Sequence, residues 1–349
     1  MATQKALWLT KVGEPLTIGQ NTIPEPGPGD ILVKNESVSL NPMDWIFPKV
    51  GFYMMKNFPV VIGEEGAGVV VKLGEGVTNL AVGDRVYYAT KFNFESDYAA
   101  FQEYTLISAD IAGKLPANLS FDQGASICIG IAPFTAATYV PEPHGHGYTP
   151  PFESEGGVGK YKGHPILIMA GGASLGQYAI QLARLSGFSP IITTASLHNK
   201  DLLISLGATH VLDRKLSASQ LKEEVANITS TPVMYAFDSI SLDDTRQAAY
   251  DILAPGGKLT VVRRGSLKEV EGSGKGVVQA FGSFELPRVR EFGGKFMREL
   301  DSWLAEGKIK PNRVEVLPGG LHGIAAGLER LESGAVSATK FIVRPQETV

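Results

Sequence analysis

The sequence predicts an α/β protein of two units, a β-rich one and a doubly wound parallel sheet, and three observations carry that expectation. Up to about residue 120 the chain shows short apolar runs punctuated by Pro and Gly, the pattern of short strands joined by tight turns. From Pro165 onward, strand-length apolar runs alternate with helical periodicity, the signature of parallel strands linked by crossover helices. A small-residue turn sits at the first of those strand-to-helix junctions. The 349 residues, 44% hydrophobic and 19% charged, suffice for two domains with large cores.

In the first part, Ala6–Leu9, Ile31–Val33, Val69–Val71 and Val86–Tyr88 read as strands, separated by turns such as Pro24–Gly29 and Gly74–Gly76. Ser120 and Gln123 match a capping box, which predicts a helix through Ala125–Tyr139. Residues 141–164 read as an extended loop, whose His144 and His146 lack the spacing and the supporting acids of a metal site. Strands follow at Ile166–Met169, Ile191–Thr194, Val211–Leu212, Val233–Phe237 and Lys258–Val262, with helices at Leu175–Leu185, Leu202–Leu206 and Leu242–Leu253. The tail carries helices at Phe296–Ala305 and Ile324–Leu331 and a last strand, Lys340–Val343. Residues 1–124 with 296–349 are expected to form one domain and 125–295 the other.

Composition narrows the function classes. A net charge of −4 and dispersed basic residues offer no footprint for nucleic acid. No apolar run approaches the ~18–20 residues a membrane helix needs, and Met1–Gln20 lacks a signal-peptide core. One cysteine, Cys128, excludes an internal disulfide framework and fits a reducing compartment, so a cytoplasmic protein is expected.

The turn itself points to a cofactor. Ile166–Met169 runs into Ala170-Gly171-Gly172-Ala173-Ser174-Leu175-Gly176 and then a helix. Gly171, Ala173 and Gly176 occupy the three fingerprint positions of a dinucleotide-binding Rossmann fold: tight turn, close approach to the pyrophosphate, and close helix–strand packing. Gly172, Ser174 and Leu175 complete the turn, and the anion would rest on the helix N-terminus. An NAD site usually places an acid at the end of the second strand. Here that stretch reads Thr193-Thr194-Ala195-Ser196-Leu197-His198-Asn199-Lys200, without an acid. Ser196, Asn199 and Lys200, with Arg214 after the next strand, suit a 2′-phosphate, so NADPH is the expected cofactor. Ser196 as a helix cap and Lys200 as a solvated side chain are compatible with that assignment.

Several segments in order resemble the medium-chain dehydrogenase/reductase family, which implies a GroES-like β-rich catalytic domain plus a Rossmann doubly wound parallel-sheet domain. Asn41-Pro42-Met43-Asp44-Trp45 is similar to its Asn-Pro-x-Asp signature. Gly63-Glu64-Glu65-Gly66-Ala67-Gly68, followed by Val82-Gly83-Asp84-Arg85-Val86, is similar to its paired glycine and Val-Gly-Asp-Arg-Val motifs, and Leu206-Gly207-Ala208-Thr209 is a further common segment. The stretch Gly156–Pro165 resembles fungal zinc-independent members, the trans-acting enoyl reductases and their relatives.

The zinc branch needs a Cys–His–Cys or Cys–His–Glu set. Glu64 stands where that branch has His, Met43 and Asp44 where its first Cys would fall, and a single cysteine cannot build a four-cysteine site. No metal is expected. The chemistry implied is hydride transfer from NADPH to an activated C=C bond (enone, enal or enoyl) or to a quinone. By the resemblance, Asp44, Trp45 and Thr135 lie around the nicotinamide, Phe47, Phe52 and Tyr53 shape the substrate side, and Tyr53 is a candidate proton donor. Asp238 and Lys340 complete the expected cofactor contacts. As bland alternatives, Trp45, Phe47 and Phe52 would be core, Thr135 a helix residue bonding its own turn, and Asp44 a cap. Many relatives carry Lys directly after the Asn-Pro-x-Asp segment, whereas this chain has Ile46 and so lacks that cation. The substrate expected is a small or carrier-bound unsaturated molecule, and the chain a monomer or homodimer. The competing readings are a cofactor-binding interaction protein with little catalysis and a reductase serving a polyketide synthase in trans.

Overall fold

The computed structural model describes residues 2–349. The chain opens with β1 (Thr3–Leu9), β2 (Thr17–Thr22), β3 (Asp30–Ser39), helix α1 (Pro42–Val50), β4 (Val60–Val61), β5 (Glu65–Leu73), β6 (Arg85–Ala89), β7 (Tyr104–Ser108) and β8 (Gly113–Lys114). The Ser120 box caps only the short helix α2 (Phe121–Gly124), and α3 (Cys128–Tyr139) starts afresh, so the helix expected from Ala125 begins later. Next come β9 (Ile166–Met169), α4 (Ser174–Ser186), β10 (Ile191–Ala195), α5 (Lys200–Leu206), β11 (His210–Asp213), α6 (Ala218–Ile228), β12 (Tyr235–Asp238), α7 (Asp243–Ile252), β13 (Lys258–Val261) and β14 (Gly276–Gln279). The tail adds α8 (Pro287–Ala305), β15 (Arg313–Val316), α9 (Gly323–Glu332) and β16 (Thr339–Val343).

Two compact units result. One comprises the chain up to Ile129 together with Ser283–Val349, the other Gly130–Gly282. The first unit holds a three-stranded sheet, β2-β1-β4, and a seven-stranded one whose path is β15-β16-β3-β5-β6-β8, with β7 also paired to β3. The long strand β3 is central, because it pairs antiparallel with β5, β7 and β16. Side chains of these strands, with others from α9 and the loop before β7, bury two clusters. Leu7, Leu9, Val38, Phe101, Ile324 and Phe341 form one, and Ile31, Val33, Val70, Val86 and Ile107 the other.

In the second unit six parallel strands run in the order β11-β10-β9-β12-β13-β14. Numbered within the unit, that is 3-2-1-4-5-6, the doubly wound order in which ligands bind beyond the carboxyl ends of the strands where the winding reverses. Here the reversal lies between β9 and β12. Leu167, Met169, Ile192, Ala236 and Leu259 pack with Leu221, Val225 and Tyr250 of the flanking helices. The near-continuous apolar runs in these strands are explained by burial on both faces.

Candidate functional site

In the second unit the carboxyl end of β9 is shaped by backbone. Ala170 adopts a positive φ of 54°, and the chain then turns into α4. The turn is stitched to β10: Ala170 N–H donates to Thr194 Oγ1 at 3.0 Å and Gly171 N–H to the Thr194 carbonyl at 2.9 Å. A Cβ at Gly171 would lie 2.1 Å from Thr193 Oγ1, and one at Gly176 would lie 2.5 Å from the Ala170 carbonyl. Neither position tolerates a side chain. At Gly172 the nearest atom is Asn199 Nδ2, 3.4 Å away, so the outward side of the turn has room. Ala173 serves as the N-cap of α4, whose first-turn amides lack intrahelical partners by construction. This tight, small-residue cradle at a helix N-terminus fits the pyrophosphate of a dinucleotide.

The residues expected at the adenosine ribose lie at the next strand end. Ser196 follows β10, Asn199 is buried, and Lys200 and Arg214 are exposed. Ser196 N-caps the short turn before α5 without using its hydroxyl for the cap. Asp238 ends β12 in register with Met169, beside the reversal point. Its carboxylate accepts from Ser241 N–H at 2.9 Å, Ile240 N–H at 3.2 Å and Thr245 Oγ1 at 2.7 Å, so both oxygens serve the turn that follows. Burial pushes its pKa up against those hydrogen bonds. Ser239, not anticipated, ties this turn to the cradle by donating to the Met169 and Ala170 carbonyls. Thr135 is fully buried in α3 and donates to the Ile131 carbonyl at 2.8 Å. In the loop before β9, His146 is buried with Nε2 3.1 Å from Thr260 Oγ1, and burial lowers its pKa to about 4.

In the first unit a buried polar group surrounds Glu65. Lys340 of β16 and Glu65 of β5 form an ion pair at 2.7 Å, with both side chains almost fully buried. Lys340 also donates to Asn41 Oδ1. Glu65 Oε1 further accepts from Ser39 Oγ at 2.7 Å and Asn41 Nδ2 at 3.2 Å, and Oε2 accepts from Ile129 N–H at 2.8 Å. Such complete pairing lets an ion pair persist out of water. The Asn41-Pro42-Met43-Asp44 segment proves to be the N-terminus of α1, a capping box with Pro at the first turn, in which Asn41 N–H donates to Asp44 Oδ2 at 2.7 Å. Its capping logic was readable from the Asn-x-x-Asp spacing.

Asp44 and Glu64 line the same pocket. Burial, then the charge of Glu64, pushes the Asp44 carboxyl well above the usual range, although Asn41 N–H and Lys340 oppose the shift. Burial, then Glu65, raises Glu64 to about 7, opposed by Lys340. Two carboxyls competing for one already paired cation cannot both ionise cheaply. Both line a small cavity of about 40 Å³, walled by Phe47, Phe92, Phe94, Val61 and Ile62. Phe47 and Phe52 rings meet at 4.9 Å, and Phe52 meets Tyr53 at 4.5 Å, but Tyr53 itself is 79% exposed. Trp45 packs at the edge of this unit's core. Thus Asp44, Trp45, Tyr53 and Lys340 belong to one unit, and Thr135, Asp238 and the cradle residues to the other. Among the described residues no group of three or more His, Cys, Asp or Glu is arranged to hold a metal ion, and no helix is long and apolar enough to cross a membrane.

A parallel sheet wound 3-2-1-4-5-6 with a small-residue cradle at its reversal point, alongside a β-rich unit, defines a two-domain nicotinamide-dependent oxidoreductase. Residues 27–124 match the alcohol dehydrogenase GroES-like domain and residues 174–271 the zinc-binding dehydrogenase domain. The chain is 32% identical over 355 residues to the trans-enoyl reductase tndF of Aspergillus flavipes, covering 97% of this chain and 98% of that one. It is 37% identical over 221 residues to the trans-enoyl reductase tazE of Aspergillus terreus, covering 61% of this chain and 69% of the other. In structure it is similar to a putative zinc-dependent alcohol dehydrogenase from Rhizobium etli, with a TM-score of 0.81 at 23% identity over 99% of this chain and 98% of that one. The protein belongs to the medium-chain dehydrogenase/reductase family, with fungal trans-enoyl reductases among its relatives.

Proposed function

We propose that this protein is an NADPH-dependent reductase of activated C=C bonds that works without a metal. The observation that carries the reading is the cradle at the reversal point of the parallel sheet, followed at the end of β10 by Ser196, Asn199 and Lys200 with no carboxylate. In this reading Gly171, Gly172, Ala173, Ser174, Leu175 and Gly176 receive the pyrophosphate. Ser196, Asn199, Lys200 and Arg214 receive the 2′-phosphate, where an acid would repel it. The bound cofactor would supply hydride from the nicotinamide. Thr135, Trp45 and Asp44 are the candidates for orienting that ring, and Tyr53 for shaping the substrate side. Asp238 and Lys340 act by holding local structure: Asp238 fixes the turn beside the cradle, and Lys340 neutralises Glu65.

The relatives' names as trans-enoyl reductases support substrates presented by a synthase in trans. Ile46, in place of the Lys that many relatives carry, favours uncharged ligands over anionic ones at that point. The test is NADPH consumption over free enones, enals, quinones and enoyl thioesters, both free and carrier-bound. Oxidation of NADPH by at least one unsaturated class supports the reading. Tight NADPH binding without turnover of any class would leave a cofactor-binding interaction protein instead.

A further inference from the structure

The loop that follows β13 carries a sequence feature that the cofactor reading does not use, Arg263-Arg264-Gly265-Ser266. Two consecutive arginines stand three and two residues before a serine, and all four residues are exposed. From Val262 to Lys275 the chain forms neither helix nor strand. The segment is fastened through its backbone. Arg246 of α7, itself buried, donates to the Ser266 carbonyl at 2.9 Å and to the Arg263 carbonyl at 3.4 Å. Gln247 exchanges two hydrogen bonds with the Lys268 backbone, at 2.8 and 3.2 Å. A Cβ at Gly265 would lie 2.2 Å from Arg246 Nη1, so glycine is what lets the chain pass this close to the guanidinium. The side chains stay outside. Arg263 and Ser266 make no side-chain hydrogen bond among the described residues, and Arg264 donates to the neutral Gln279 Oε1 at 2.7 Å. Two other serines follow basic residues at the same spacing, but their hydroxyls are committed. Ser217, after Arg214-Lys215-Leu216, caps α6 by accepting from Gln220 N–H at 3.3 Å. Ser333, after Arg330-Leu331-Glu332, donates to the Arg330 carbonyl at 2.9 Å, and Arg330 is paired with both oxygens of Glu315.

We propose that Ser266 is the phosphate acceptor for a protein kinase whose acidic groove selects arginine three and two residues before its target. Free guanidinium groups are what such a groove reads, because each pairs bidentately with a carboxylate. Ser266 Oγ attacks the γ-phosphorus of ATP held by the kinase. The Oγ–P bond forms, and the bond from that phosphorus to the bridging oxygen breaks. ADP leaves with the electron pair, and the hydroxyl proton passes to a carboxylate base of the kinase. Presenting the segment requires release of the Arg246 and Gln247 hydrogen bonds and of the partly buried Leu267, a local opening of a surface loop rather than of the sheet. The segment leaves the carboxyl end of β13, the side of the sheet on which this winding binds ligands. Arg263, Arg264 and Lys268 outnumber Glu269 there, an excess of two positive charges. A phosphoserine adds about −1.5 to −2 and cancels that excess. Phosphorylation therefore removes the attraction that this loop offers to anionic ligands, and the assignment of the acceptor stands apart from the cofactor reading.

The test incubates the intact, folded protein with ATP, magnesium and the catalytic subunit of cyclic-AMP-dependent protein kinase as the probe. Intact mass and tandem mass spectrometry of the digest then count and locate the phosphate. A single phosphate on Ser266 is expected. Ser266→Ala should abolish it, whereas Ser217→Ala and Ser333→Ala should incorporate as wild type does. The double variant Arg263→Gln/Arg264→Gln should slow incorporation about ten- to a hundredfold, the loss expected when charge-assisted contacts to the groove are removed. Circular dichroism of each variant separates this loss from a folding defect, and all the substituted positions are exposed. Phosphate found chiefly on Ser217 or Ser333, an unchanged rate in the folded double arginine variant, or incorporation only after the protein is unfolded would overturn the proposal. So would an absence of incorporation under conditions in which a control peptide with the same arginine spacing is fully modified.

Discussion

The cradle in the second unit and the buried ion-pair cluster in the first are built from opposite materials. The cradle is backbone: its geometry comes from what Gly171 and Gly176 lack, and residues within one short stretch define it. The cluster is side chain: Asn41, Glu65 and Lys340 meet from three distant strand and helix ends, with Lys340 and Asn41 299 positions apart. A site made of absent atoms tolerates almost no substitution but announces itself in spacing. A site made of assembled charges is invisible in spacing and fails when one partner is removed.

The largest test of that contrast is Lys340→Met. It strands Glu65 with its charge out of water, and breaking a buried pair in this way costs about 3–5 kcal/mol. Urea unfolding should show that loss, with partial recovery in Lys340→Met/Glu65→Gln; a single variant as stable as wild type would mean the pair contributes nothing. Glu64→Gln should act in the other direction. The native state keeps a proton on Glu64 up to about pH 7, whereas the unfolded chain releases it near the ordinary 4.5. The native state therefore binds more protons in that window, and stability falls as pH rises through it, by up to about 3 kcal/mol. Glu64→Gln should flatten this decline and be more stable than wild type at pH 8, with the raised Asp44 leaving a residual slope of the same sign. Equal slopes in wild type and variant would refute the assignment.

In the backbone-made site, Gly176→Val should weaken NADPH binding by about a hundredfold or more, because its Cβ would meet the Ala170 carbonyl at 2.5 Å. A folded variant with unchanged affinity would displace the pyrophosphate from this turn. The smallest effect is Lys200→Ala, an exposed side chain. Loss of one charge-assisted hydrogen bond, about 1.5–3 kcal/mol, should weaken NADPH about ten- to a hundredfold and leave NADH nearly unchanged. Equal losses for both cofactors would indicate a general defect of the pocket.

What could be read from the sequence follows the same division. The parallel strands β9, β10, β12 and β13 and the helix after the cradle are local apolar runs with local turns, and each was expected within a few residues. Helix α6 was missed although Ser217 and Gln220 form a capping box, because its apolar face is narrow. Helix α8 starts at Pro287, well before the expected Phe296, because Gly293 and Gly294 interrupt the periodicity while packing close to Phe284 and Asp110. The exposed strand β14 has a sparse pattern and is identified by its partner β13. In the candidate sites, the cradle was legible, and Asp44 and Lys340 were named through resemblance. The raised pKa of Glu64 was not legible, since burial and then the charge of Glu65, both supplied by the tertiary structure, push it up.

Strand β16 closes one side of β3 and delivers Lys340 to Glu65, yet it is separated from both by the whole of Gly130–Gly282. On the ribosome, that inserted segment emerges complete while β3 still presents an open edge and Glu65 an uncompensated charge. The contiguous Rossmann unit is thus free to finish folding first, and the sheet of the first unit must wait in an unfinished, aggregation-exposed form until the tail arrives.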